Sequence, residues 1–161
     1  LRKPLDIFLN LGSCWWEGIN TMDCIKYKKG YKYQLAETYN IKTDIKPSEH
    51  ILTHFIDLTT NGTLIIRKGY AWDGPSGPTL DTKNFMRGAL IHDALFQLMR
   101  QGHLSQKYRK FADRLLQKIC REDGMNKLRA WYVYQGVHLG GKFAADPANK
   151  KQVIKAPKRC K

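Results

Sequence analysis

The sequence predicts an α+β domain in which an N-terminal antiparallel sheet with a hairpin precedes three packed helices. Three observations carry that expectation. Two β-rich runs, residues 51–59 and 63–70, flank Asn61-Gly62, a dipeptide that tolerates positive φ and suits a tight hairpin turn. After a glycine and proline cluster at residues 74–78 the apolar period changes from two to that of a helix. Three helical stretches then follow, with breaks expected at Gly102, Gly124 and Gly140-Gly141.

Upstream of the hairpin, Tyr27, Tyr31, Tyr33 and Leu35 read as strand, followed by a polar connector that ends at Pro47. The first helix is expected to start after Asp81 as N-cap and to end near Gly102. In it Phe85, Ala89, His92, Phe96 and Met99 recur at helical spacing, so His92 lies on the apolar face, with Asp93 about 100° around from it. The second helix runs from Ser105 as N-cap to Glu122, with Tyr108, Phe111, Ala112, Leu115 and Ile119 on its core face. Asp113 sits beside that face, where partial burial is expected. The third runs from Met125 to about Leu139 and is apolar through Leu128, Trp131, Tyr132 and Val137. The expected organisation is an N-terminal arm over 1–21, one domain over 22–146 and a basic surface tail over 147–161.

At 161 residues the chain is long enough for one sizeable core, and 42% hydrophobic content argues against extensive disorder. No run approaches a membrane span. The formal charge of +14, from 28 Lys and Arg against 14 Asp and Glu, favours polyanionic company such as acidic lipid, nucleic acid or a cell wall. No nucleic-acid motif organises those charges. The four cysteines, Cys14, Cys24, Cys120 and Cys160, form no CxxC pair and no zinc-finger spacing. The redox compartment stays open, because an even count permits two disulfides or idle thiols equally. Leu11-Gly12-Ser13-Cys14 loosely resembles a lipoprotein cleavage box, behind an apolar stretch shorter than a secretory signal needs.

The densest chemistry lies in residues 71–114. The loop Asp73-Gly74-Pro75-Ser76-Gly77-Pro78 combines fixed dihedrals with positions where backbone can approach a ligand closely. It feeds a helix carrying Arg87 and the adjacent pair His92-Asp93, and a second helix supplies Asp113. Neighbours on a helix point different ways, so His92 and Asp93 take separate tasks. One arrangement uses both: His92 deprotonates a water, Asp113 orients its imidazole, and Asp93 with Asp73 and loop carbonyls binds a cation, for which Ca²⁺ suits oxygen donors. Gly74, Ser76, Gly77, Arg87 and Phe96 are then candidates for the loop and substrate contacts. The alternative is a hydrogen-bonded core histidine, with Asp93 paired to Arg87 or Arg114. A metal phosphohydrolase reading would draw on His50, His54, His103 or His138 as further ligands, but its mostly helical fold conflicts with the hairpin. A serine hydrolase reading fails at Ser76, which lacks the Gly-x-Ser-x-Gly setting.

Residues 70–137, about two-fifths of the chain, resemble a phage and bacterial family, the domain of unknown function numbered thirteen fifty-three. The matching pieces are Asp73-Gly74-Pro75-Ser76, Arg87 with Ala89-Leu90-Ile91-His92-Asp93, Ala112-Asp113 and Arg121-Glu122-Asp123-Gly124. That family implies no activity. A more distant resemblance is to the calcium-dependent phospholipases that hydrolyse the central ester of phospholipids. They too place a glycine-rich calcium loop before a His-Asp helix, an aromatic three residues after the Asp, here Phe96, and a later acid, here Asp113. The chain departs from them in having no cysteine beside His92-Asp93 and no Gly-x-Gly in the loop.

Two functions are therefore expected to compete. The first is a phage-type or bacterial hydrolase, calcium-dependent and acting on lipid esters, peripheral to a membrane. The second is a non-catalytic phage particle or assembly protein, virion-associated, whose basic surface binds its partner. A catalytic site requires that His92, Asp93 and Asp113 converge on an open cleft, whereas a structural role predicts a closed network without room for substrate.

Overall fold

The structure is a computed structural model that describes residues 32–74 and 82–150 in full and the backbones of Ile25–Tyr27 and Ile154–Ala156. The chain divides into two compact units, Lys28–Gln152 and a smaller one of Leu1–Tyr27 with Val153–Lys161. In the smaller unit β1 (Ile25–Tyr27) pairs antiparallel with β8 (Ile154–Ala156), placing Lys26 opposite Lys155. The stretch expected to be a surface tail thus contributes a strand. The arm expected over 1–21 lies outside the described residues.

The larger unit is α+β. Its strands are β2 (Tyr33–Gln34), β3 (Tyr39–Lys42), β4 (Ile51–Leu52), β5 (Ile56–Leu58), β6 (Thr63–Ile66) and β7 (Ala71–Trp72). β3, β6, β5 and β4 form an antiparallel sheet in that order, and β2 pairs with β7. The hairpin between β5 and β6 turns at Asn61-Gly62, where Gly62 has φ of 89° and a Cβ would fall 2.3 Å from the Thr43 carbonyl oxygen. Only glycine meets both demands. The run expected as one strand over 51–59 is two, because Thr53 turns the chain: its hydroxyl donates to the Ile56 carbonyl and accepts from the Ile56 amide. Leu64 and Ile66 of β6 point into the core beside Ile56 and Leu58 of β5.

Three helices follow: α1 (Lys83–Arg100), α2 (Arg109–Glu122), entered through a 3-10 turn at Gln106–Tyr108, and α3 (Lys127–Ala145). α1 is capped at Thr82 rather than at the expected Asp81. Phe85, Ala89, His92, Phe96 and Met99 are buried, but so are Leu90, Ile91, Ala94, Leu95 and Leu98, so the helix is enclosed on most sides rather than on one face. Leu90, Ile91, Ala94, Leu95 and Leu98 share a core with the sheet. Phe85 and Ala89 join a second core with Leu116, Cys120, Met125, Ala130 and Val133. Gly88 lets α1 and α2 approach, since a Cβ there would lie 2.8 Å from Leu116.

α3 departs most from expectation. It does not break at Gly140-Gly141 but continues to Ala145. A helical glycine costs about 1 kcal/mol relative to alanine, and tertiary contacts offset that cost. Arg100 donates to the Ala144 carbonyl at 2.8 Å and Gln106 to the Ala145 carbonyl at 2.7 Å, satisfying carbonyls that a helix C-terminus leaves open. Arg109 donates to the His138 carbonyl at 2.9 Å. Of the apolar residues that mark this helix in the sequence, Leu128, Trp131 and Tyr132 are exposed.

Candidate active site

α1 carries His92 because helical periodicity turns it inward, and α2 meets it with Asp113. His92 Nε2 lies 2.9 Å from Asp113 Oδ1. Asp113 is not partly but fully buried, with none of its surface exposed. A carboxylate in that position requires partners. It has a second one on its other oxygen, Oδ2, where His138 Nδ1 of α3 lies 3.2 Å away. The Arg109 guanidinium stands 3.9 Å from the same oxygen. Three helices thus converge on one carboxylate.

With Asp113 accepting, Nε2 carries the proton of a neutral His92, and Nδ1 holds the lone pair. Nδ1 lies 3.9 Å from Asp93 Oδ1, beyond hydrogen-bond range. Phe96, one turn on, packs on the imidazole with ring centres 4.0 Å apart. Burial opposes the charged imidazolium, yet the carboxylates of Asp113 and Asp93 outweigh it and hold the His92 pKa above its ordinary value of 6.5. The histidine is therefore more basic than a solvated one.

His92 and Asp93 line a cleft of about 400 Å³. Asp73 and Gly74 form part of its wall, with Trp72, Phe85, Phe96, Leu116 and Val137 supplying apolar surface. Gly136, Gly140 and Ala144 of α3 close the opposite side without filling it. Gly141 is tighter: a Cβ there would lie 3.0 Å from the Phe96 ring. Gly74 has φ of 75° and would bring a Cβ within 2.6 Å of Tyr33. A strand end, a glycine corner and two helices thus set two carboxylates and an imidazole into one recess.

Not every expected residue arrives there. Ser76 and Gly77 lie outside the described residues. Arg87 is turned away from the cleft and binds Asp123 through two bonds of 2.6 and 3.0 Å, with Glu122 at 3.2 Å. The Asp123 carboxylate raises its pKa further. These contacts tie α1 to the end of α2, and Arg87 is not among the residues that line the cleft. Asp93 pairs with neither Arg87 nor Arg114 among the described contacts. His50 and His103 border a separate recess, and His54 meets Phe55 edge-on. Sequence reasoning weighed His138 only as a metal ligand and passed over Arg109.

Among the described residues no three His, Cys, Asp or Glu side chains come together to hold a metal ion. The described cleft offers two carboxylates, Asp73 and Asp93, and the backbone of Gly74. These are oxygen donors of the kind Ca²⁺ takes, but fewer than its usual six to eight ligands. No helix among the described residues is long and apolar enough to cross a membrane. The class defined by fold and site is an α+β domain with a carboxylate-supported histidine opening on a mixed polar and apolar cleft. No family model, curated protein or solved structure matches the chain.

Proposed function

We propose that the protein is a hydrolase of phage or bacterial type that cleaves lipid esters with His92 as general base. The observation that carries the proposal is the His92–Asp113 pair, a buried carboxylate holding one imidazole nitrogen while the imidazole borders a cleft large enough for substrate. The resemblance to the calcium-dependent phospholipases, drawn from the loop before His92-Asp93, Phe96 and Asp113, supports the same reading.

In the proposed reaction a water in the cleft loses a proton to Nδ1 of His92 as its oxygen attacks the ester carbonyl carbon. The carbonyl π electrons move to oxygen, giving a tetrahedral oxyanion. Collapse of that intermediate re-forms the carbonyl and expels the alkoxide, which takes the proton back from His92. Asp113 stabilises the imidazolium between the two transfers and keeps the ring in its tautomer. The apolar wall of Trp72, Phe85, Phe96, Leu116 and Val137 would accommodate an acyl chain. Asp93 and Asp73 are the carboxylates that would hold Ca²⁺, which would supply positive charge to the site.

The test is acid release from a monomeric short-chain ester and from phospholipid vesicles, compared for wild type and His92→Asn. Loss of a general base should lower the rate by about 10²- to 10⁴-fold. An unchanged rate in the variant, or no hydrolysis of either substrate by wild type, would reject the reading. One observation favours the rival, a non-catalytic phage particle or assembly component. The complete burial of Asp113 between two histidines is also what a structural network produces. His92→Asn protein that folds and retains its full biological effect would decide for it.

A further inference from the structure

Most of the large hydrophobic side chains exposed among the described residues belong to one helix. Leu128, Trp131, Tyr132, Leu139 and Phe143 of α3 are 77, 54, 57, 81 and 74% exposed, and elsewhere only Leu52 is comparable. Such surface is normal when scattered but calls for an occupant when gathered. At about 100° per residue, Leu128, Tyr132, Leu139 and Phe143 fall within an arc of roughly 60°, and Trp131 lies about 60° to one side of it. They share one side of the helix.

The charge of this helix has one sign. Lys127, Arg129 and Lys142 lie within it, and none of its 19 residues is Asp or Glu. The acid at its end, Asp146, accepts from the Ala148 amide at 2.9 Å. Gly140 and Ala144, which line the His92 cleft, directly follow Leu139 and Phe143, so this side runs along the rim of the cleft.

Resting on the hydrolase reading, we propose that this face of α3 is the surface by which the protein sits on an anionic phospholipid bilayer, with the cleft opening along the lipid. Trp and Tyr favour the headgroup level, leucine and phenylalanine the acyl boundary, and lysines can lay their stems along apolar surface while keeping their charge in water. Anionic headgroups complement the basic helix and a chain of +14. A second copy is the poorer occupant, because each would bring the same positive charge to the contact.

The experiment is vesicle flotation of the full chain, carrying His92→Asn so that lipid stays intact, with phosphatidylcholine vesicles with and without phosphatidylglycerol. Binding should require phosphatidylglycerol and weaken with salt. Leu139→Glu with Phe143→Glu should lower partitioning at least about tenfold, whereas Leu52→Glu should not. Both α3 positions are exposed, and an unchanged thermal melt verifies the fold. In the His92 background the double variant should keep hydrolysis of a monomeric ester and lose that of vesicles. Absence of vesicle binding, or equal loss in Leu52→Glu, overturns the proposal even where the monomeric ester is hydrolysed, which leaves the hydrolase reading standing. Binding that depends on α3 without hydrolysis of any ester sustains the surface and rejects the hydrolase. A dimer that Leu139→Glu dissociates, without vesicle binding, assigns the face to a second copy.

Discussion

His92 Nε2 lies 2.9 Å from an oxygen of Asp113, a carboxylate with no exposed surface. That relationship makes Asp113 both a structural and a chemical element. Asp113→Asn keeps the shape but presents one amide group to two imidazoles where both had met a charged acceptor. Unfolding in urea should show a loss of about 3 kcal/mol. Ester hydrolysis should fall by about 10²-fold or more, because the ring loses its enforced tautomer. A variant that is destabilised yet fully active would show that the carboxylate serves the fold alone.

The elevated His92 pKa gives a pH dependence with a fixed sign. A base must be neutral to accept a proton, so hydrolysis should rise with pH through an apparent pKa above 6.5. For stability the sense is opposite. The folded state holds the proton more tightly than the unfolded chain, so this contribution is complete below the unfolded value and is lost as pH rises through the folded one. Titration of the imidazole carbon resonances by NMR, with His92→Asn to assign the signal, checks the direction. A His92 value below 6.5 would contradict it.

His138 acts on the same carboxylate from the other side, 3.2 Å from Oδ2. A donor there draws on the charge that Asp113 otherwise offers to His92. Removing it in His138→Phe should move the His92 titration further upward, with the alkaline shift mirrored in the rate profile. A loss of stability without any shift would confine His138 to packing.

Local periodicity carried the hairpin and the placement of His92, because Asn61-Gly62 and the apolar spacing of α1 are decided within a few residues. The position of Asp113 on its helix was legible too, though not its complete burial. His138 was not, since its meeting with Asp113 depends on how α3 crosses α2. The end of α3 was misplaced for the same reason. Gly140-Gly141 weakens a helix locally, while Arg100 and Gln106, which support it there, lie 44 and 39 residues from their acceptors. Arg87 looked functional through nearness in sequence to His92-Asp93, yet its partner Asp123 lies 36 residues away.

That ion pair gives a variant that separates fold from chemistry. Arg87→Ala removes two bonds to Asp123, with the Arg87 side chain 36% exposed, so solvent screens much of their strength. The expected cost is about 1 kcal/mol, seen as a lowered melting temperature. Ester hydrolysis below that temperature should be unchanged. A fall in rate with the fold intact would return Arg87 to the site.

The glycines of α3 set stability against access. A Cβ at Gly140 meets nothing within 4 Å, whereas one at Gly141 would press the Phe96 ring that packs on His92. Gly140→Ala should therefore gain up to about 1 kcal/mol from helix propensity alone. Gly141→Val should lose about 1–3 kcal/mol, because a branched side chain cannot enter that contact without displacing the ring. Gly140→Leu should fold as well as Gly140→Ala but project into the cleft, weakening hydrolysis of long-chain esters more than of short ones. Equal activity of Gly140→Leu on both chain lengths would show that substrate does not pass along this wall.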